Sequence, residues 1–133
     1  MFKAAREFAF ERLVEQLQQQ SHQTVLEVNL NAIVHNLNYF RSCLNPQTKI
    51  MIMVKAFCYG NGSYEIANIL QHNKVDYLAV AFVDEGIELR NSGITVPIIV
   101  MNPEYGMLST LYEYGLEPNI HNFAVLDEVK QLC

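Results

Sequence analysis

The residue in this chain best suited to covalent chemistry is a lysine at the end of an apolar run. Ile50-Met51-Ile52-Met53-Val54 leads directly into Lys55, and Ala56-Phe57-Cys58-Tyr59-Gly60-Asn61-Gly62 follows. Condensation with an aldehyde needs a neutral amine, and burial at a strand tip disfavours the charged form of a lysine. The Tyr59 hydroxyl and the glycine-rich turn after it add groups able to meet a phosphate. Together these residues suit a phosphorylated aldehyde cofactor, with pyridoxal phosphate the leading case. Each residue also has a plainer reading. A lysine at a strand end is commonly a solvated cation, Tyr59 a half-buried aromatic bonded to backbone, and Gly60-Asn61-Gly62 a tight turn needing positive φ.

Other chemistry-bearing residues favour structural roles. Asp84 and Glu85 resemble an acid/base pair, but carboxylates in the first turn of a helix oppose its dipole, and that explanation suffices. Arg90 is expected to form an ion pair or to cap loop carbonyls. His22, His35, His72 and His121 lack metal-ligand spacing, so no metal site is expected. Cys43, Cys58 and Cys133 are odd in number and contain no C-x-x-C, which argues against both a disulfide framework and a zinc site and for a reducing, cytoplasmic setting. Cys58 reads as a small buried hydrophobe.

The elements that position Lys55 follow from periodicity. Phe10, Leu13, Val14 and Leu17 mark one face of an amphipathic N-terminal helix, and the polar stretch Gln18 to Gln23 reads as a linker, so a domain boundary is placed between 1–23 and 24–133. Thr24 to Val28 has strand character. Asn29 or Asn31 is then positioned to cap a helix with Ile33, Leu37 and Phe40 on its apolar side, closed by Pro46. Four apolar runs follow: Ile50 to Val54, Tyr77 to Phe82, Pro97 to Met101 and Leu116 to Ile120. Helical stretches follow them at Tyr64 to Gln71, Asp84 to Asn91, Met107 to Tyr114 and Phe123 to Leu132. Strands of continuous rather than alternating apolar character are expected where both faces of a parallel sheet are covered. This is a βα repeat of α/β class. A doubly wound sheet would give the same local pattern.

Composition narrows the function. The chain has 133 residues, half of them apolar, which is enough for one domain with a core but short for a parallel barrel enzyme of about 250 residues. A net charge of −5 disfavours nucleic acid and anionic lipid as partners. The charged N-terminus does not read as a signal peptide, and no apolar stretch reaches the roughly 18 residues of a membrane span. Small-molecule chemistry remains.

Four collinear blocks resemble alanine racemases. Met53-Val54-Lys55-Ala56-Phe57-Cys58-Tyr59-Gly60-Asn61-Gly62 is similar to that family's cofactor-lysine signature, with Phe57, Cys58 and Asn61 departing from it. Thr24 to Ile33 with Asn36 resembles the opening strand and helix. Leu78 to Gly86 with Leu89 to Ile94 resembles the second βα unit, and Pro97 to Met101 the third strand. The resemblance implies a partial (β/α)8 TIM-type barrel, comprising the first three to four βα units and preceded by an amphipathic helix. It implies pyridoxal 5'-phosphate as cofactor, with Lys55 forming the covalent link and later acting as one of two proton-transfer bases. Tyr59 would donate to the phosphate, and Met53 and Met101 would pack beside the ring. The implied activity is interconversion of L- and D-alanine for peptidoglycan synthesis by a homodimer of the full-length protein. The second base, a tyrosine of a C-terminal β-domain, is not in this chain, so the chain alone is expected to be inactive. Residues 1–23 resemble the last helix of a Mur ligase, which implies a ligase/racemase fusion joint. The alternatives are a pyridoxal-phosphate-binding homeostasis protein, or another amino-acid racemase or decarboxylase on the same barrel.

Overall fold

The computed structural model describes residues 27–54 and 63–132. Among them a leading helix precedes four strand–helix units: α1 (Leu30–Ser42), β1 (Met51–Met53), α2 (Ser63–His72), β2 (Tyr77–Val80), α3 (Val83–Asn91), β3 (Ile98–Val100), α4 (Leu108–Glu113), β4 (Leu116–Pro118) and α5 (Phe123–Leu132). The helix expected before residue 20, most of the strand expected at Thr24 to Val28, and the whole of 1–23 lie outside the described residues.

The four strands are parallel and lie in the order β1-β2-β3-β4. A doubly wound sheet reverses its strand order at a switch point, whereas successive strands laid always on the same side are the winding of a barrel. The pattern thus resolves in favour of barrel-type winding, with four strands of the eight that close such a barrel.

Register separates the two faces of the sheet. Ile52 pairs with Leu78, Leu78 with Ile98, and Ile98 with Leu116. That row, with Val80 and Val100 one pleat further on, packs against Leu37, Ala67, Leu70, Leu89, Leu108 and Leu111 of the helices. Leu78, Val80, Ile98 and Val100 are fully buried, and each such side chain contributes about 1.5–3 kcal/mol by leaving water. The opposite row runs Met53, Ala79, Ile99 and Glu117. On it Met51 is 51% exposed and Met53 47%. The sheet therefore has one covered face and one open face, and the βα repeat alone does not say which side chains stand on which.

Caps set the helix boundaries. Asn29 Oδ1 accepts from the Ala32 N–H at 3.1 Å, which selects Asn29 over Asn31 as the cap of α1. Asn122 Oδ1 does the same for Val125 N–H at the start of α5. Helix α3 ends in a Schellman turn, Ile94 N–H to Leu89 C=O and Gly93 N–H to Arg90 C=O, for which Gly93 takes φ 93°. Three boundaries differ from the sequence expectation. Phe82 is not strand but the extended N-cap of α3, because the Glu85 side chain takes its N–H. Phe40 is 63% exposed, not core, since α1 is buried only at Leu37, and Phe40 instead packs edge-on to Tyr39 at 5.8 Å. The strands are also shorter than their apolar runs, as residues at each end turn into loops.

Candidate active site at the strand tips

In parallel α/β folds chemistry sits at the C-terminal ends of the strands, and here those ends are tied to one another by backbone hydrogen bonds. Val54 N–H donates to Ala79 C=O at 2.8 Å, Met101 N–H to Val80 C=O at 2.9 Å, Asn102 N–H to Ala81 C=O at 3.0 Å, and Asn119 N–H to Val100 C=O at 2.9 Å. Asn119 Nδ2 adds a bond to Met101 C=O at 3.3 Å. Lys55 and Tyr59 lie outside the described residues. Val54, the residue before Lys55, is buried and held by the first of these bonds.

Met53 and Met101 are brought to one face. Met53 is opposite Ala79 and Ala79 opposite Ile99, so Met101, two residues beyond Ile99, is one pleat further along the same open face. Ala79 separates the two methionines with only a methyl group. The open face near these tips is therefore apolar, with Met53, Ala79 and Ile99 side by side across three strands. Beyond it, Phe82, Val83, Asp84, Glu104 and Met107 line a shallow hollow of about 370 Å³. A larger apolar groove of about 700 Å³, lined among others by Leu108, Leu111, Leu116 and Val129, belongs to the helix side. Among the described residues no group of three or more His, Cys, Asp and Glu side chains is placed to hold a metal, and no helix is long and apolar enough to cross a membrane.

Two polar residues at the site escaped the sequence reading in part. Glu85 was legible as a first-turn carboxylate, yet its Oε2 accepts both Phe82 N–H at 3.3 Å and Ala81 N–H at 2.8 Å while the residue is only 8% exposed. Its spacing, three residues after the N-cap, is the signal that half of a capping box leaves. Asn119 has no comparable signal, since its role depends on where β3 ends. Arg90 lies at the opposite end of the sheet. Its guanidinium donates to the C=O groups of Ile94 (2.8 Å), Val96 (2.7 Å), Tyr114 (3.1 Å) and Gly115 (3.0 Å), so of the two expected roles it takes carbonyl capping. Burial pulls this guanidinium below its usual pKa, and the Glu117 carboxylate opposes that shift.

The model of the family described as "Alanine racemase, N-terminal domain" matches residues 28–133. The chain belongs to this family. Alanine racemase 2 of Caldanaerobacter subterraneus is 47% identical over 78 residues, which are 59% of this chain and 20% of that relative. Among solved structures, the alanine racemase of Clostridium difficile 630 in complex with cycloserine superposes with a TM-score of 0.72 at 32% identity, covering 82% of this chain and 31% of that one. The alanine racemase of Bartonella henselae with covalently bound pyridoxal phosphate gives a TM-score of 0.72 at 24% identity, over 80% of this chain and 31% of that one, and this likeness is one of fold. The chain therefore spans about a fifth to a third of the length of these alanine racemases.

Proposed function

We propose that this chain is the cofactor-lysine portion of a pyridoxal-phosphate-dependent alanine racemase. The observation that carries the reading is Val54. It directly follows β1 in a sheet wound as in this family, its N–H is bonded to Ala79 C=O, and the next residue is Lys55. In this reading the Lys55 amine forms the covalent link to the cofactor and exchanges a proton with the α-carbon of alanine on one face. The Tyr59 hydroxyl donates to the cofactor phosphate. Met53 and Met101 hold the ring from the open face of the sheet and keep water from it. Bound pyridoxal phosphate supplies the electron sink that makes removal of an α-proton accessible.

The family match over residues 28–133 supports that cofactor, and the relative solved with cycloserine supports an alanine-like substrate. The full-length protein is taken to act as a cytoplasmic homodimer that supplies D-alanine for peptidoglycan. In this reading a second base, a tyrosine of a C-terminal β-domain, serves the opposite face of the substrate. Residues 24–133 form the racemase portion, and 1–23 a tail of Mur-ligase type that marks a fusion joint.

The test is incubation of the chain with pyridoxal phosphate. A visible absorption band is expected, and borohydride should fix the cofactor's mass on the peptide containing Lys55. In Lys55→Arg, which keeps the charge but removes the condensing amine, both signals should vanish. A band of equal strength in that variant, or labelling of another lysine in the parent chain, refutes the assignment.

A further inference from the structure

At its tip β3 leaves the ladder, and the register shows how. Val80 lies opposite Val100, and Val100 opposite Pro118. In a parallel ladder each residue bonds to the two residues flanking its partner, and successive residues of a central strand turn to alternate sides. Met101 N–H accordingly donates to Val80 C=O and Asn119 N–H to Val100 C=O, both at 2.9 Å. The next two rungs would join Phe82 N–H to Met101 C=O and Asn102 N–H to Asn119 C=O.

Neither rung is present. Phe82 N–H goes to Glu85 Oε2 at 3.3 Å, and Asn102 N–H goes to Ala81 C=O at 3.0 Å, on the side of β2 instead of β4. Met101 C=O faces the other way and accepts from Asn119 Nδ2 at 3.3 Å. The carbonyl and N–H of a trans peptide point in opposite directions, so this exchange of both partners amounts to turning the Met101–Asn102 peptide over relative to the ladder. Asn119 C=O, released by that turn, accepts from the Nδ1–H of His121 at 3.2 Å. Pro103 follows and has no N–H with which to resume the pairing.

The turned peptide leaves the carbonyl of a half-buried residue without its ladder donor, and the Asn119 carboxamide is the group that meets it. We propose that Asn119 is a positioning residue for Met101, its Nδ2 holding the turned Met101–Asn102 peptide and so fixing the backbone from which the Met101 side chain rises on the open face. This rests on the reading of Met101 as a residue that holds the cofactor ring, and deepens it. The role needs a donor at the end of a short side chain, which asparagine has and which leucine and alanine lack.

Asn119→Leu removes the donor and keeps the bulk, and Asn119→Ala removes both, so one folded variant suffices. Two quantities are read on the full chain. Carbon-13 methyl NMR of the methionines reports the Met101 side chain with no cofactor present, its signal assigned by its loss in Met101→Ala. Absorption titration gives the dissociation constant for pyridoxal phosphate. In the Asn119 variants the Met101 methyl signal should shift while that of Met51 stays in place, and pyridoxal phosphate should bind about three- to tenfold more weakly, the scale of one lost hydrogen bond. In the Met101→Ala background the same Asn119 substitution should leave the dissociation constant within about twofold, because no side chain remains to be positioned. A folded Asn119 variant with an unmoved Met101 methyl signal overturns the proposal. Equal weakening with and without the Met101 side chain overturns it too, because Asn119 would then support the tip in general. A parent chain that takes up no pyridoxal phosphate refutes the reading of the site, and the methyl signal, recorded without cofactor, then decides the role of Asn119 by itself.

Discussion

Arg90 concentrates more hydrogen bonding in one side chain than any other described residue, and it does so far from the strand tips. Four carbonyls, those of Ile94 and Val96 before β3 and of Tyr114 and Gly115 before β4, converge on its planar guanidinium. A lysine has three donors around a point and no fork, so it cannot meet the same four acceptors. Arg90→Lys should lower the urea midpoint with little change in slope, and Arg90→Met should cost about 2 kcal/mol or more, since partly buried carbonyls are left without partners. Pyridoxal phosphate uptake at Lys55 should be unaffected in the folded fraction, because these bonds lie at the other end of the strands. Legibility at this scale was uneven. Lys55 is singled out because a strand end, a tyrosine and two glycines coincide within eight residues, and it lies outside the described residues. The choice of Arg90 between ion pair and carbonyl cap was open, because its acceptors lie up to 25 residues away.

The elements were legible where burial is continuous and illegible where a single side chain cuts them short. Leu78, Ala79 and Val80 are all buried, Ala79 because its short side chain lies low between its neighbours on the open face, so β2 reads as an uninterrupted apolar run. Phe82 continues that run in the sequence yet belongs to α3, because hydrophobicity does not register which backbone N–H a glutamate takes. Gly86 shows how closely an element can be fitted. A Cβ there would stand 2.9 Å from Leu116 Cδ1 and 3.1 Å from Cδ2, so α3 reaches the end of β4 only because this helical residue has no side chain. Alanine improves helix propensity by about 0.8–1 kcal/mol, while overpacking a filled site costs about 1–3 kcal/mol. Leu116 is buried and both of its methyl groups meet the added Cβ, so Gly86→Ala should destabilise the chain by up to about 1 kcal/mol. Leu116→Val shortens the obstructing side chain. In that background Gly86→Ala should become neutral or stabilising, and a double-mutant cycle of chemical denaturation measures the coupling. Additive effects would mean that the two residues do not meet.

At the scale of the molecule, the sheet is half of a barrel wall, and this dictates how the chain behaves toward itself. The strand order was legible only as a repeat. Which face would be left open depends on register, and no local pattern in Met51-Ile52-Met53 distinguishes the side facing the helices from the other. The structure assigns Ile52 to the helices and leaves Met51 and Met53 about half exposed, while among the described residues β1 and β4 pair along one edge only. Half-exposed apolar side chains gathered on one face favour association of copies. The net charge of −5 opposes close approach of two copies but is screened at physiological salt over about 8 Å. Short-range burial should therefore win as concentration rises, and sedimentation velocity should show reversible association across the micromolar range. Met51→Glu places a carboxylate on the open face beside the β1 edge. Because Met51 is already half in water, the substitution should cost under about 1 kcal/mol of stability while weakening association clearly. If the variant associates as strongly as the parent, the copies meet through another surface, and the open face is not what draws them together.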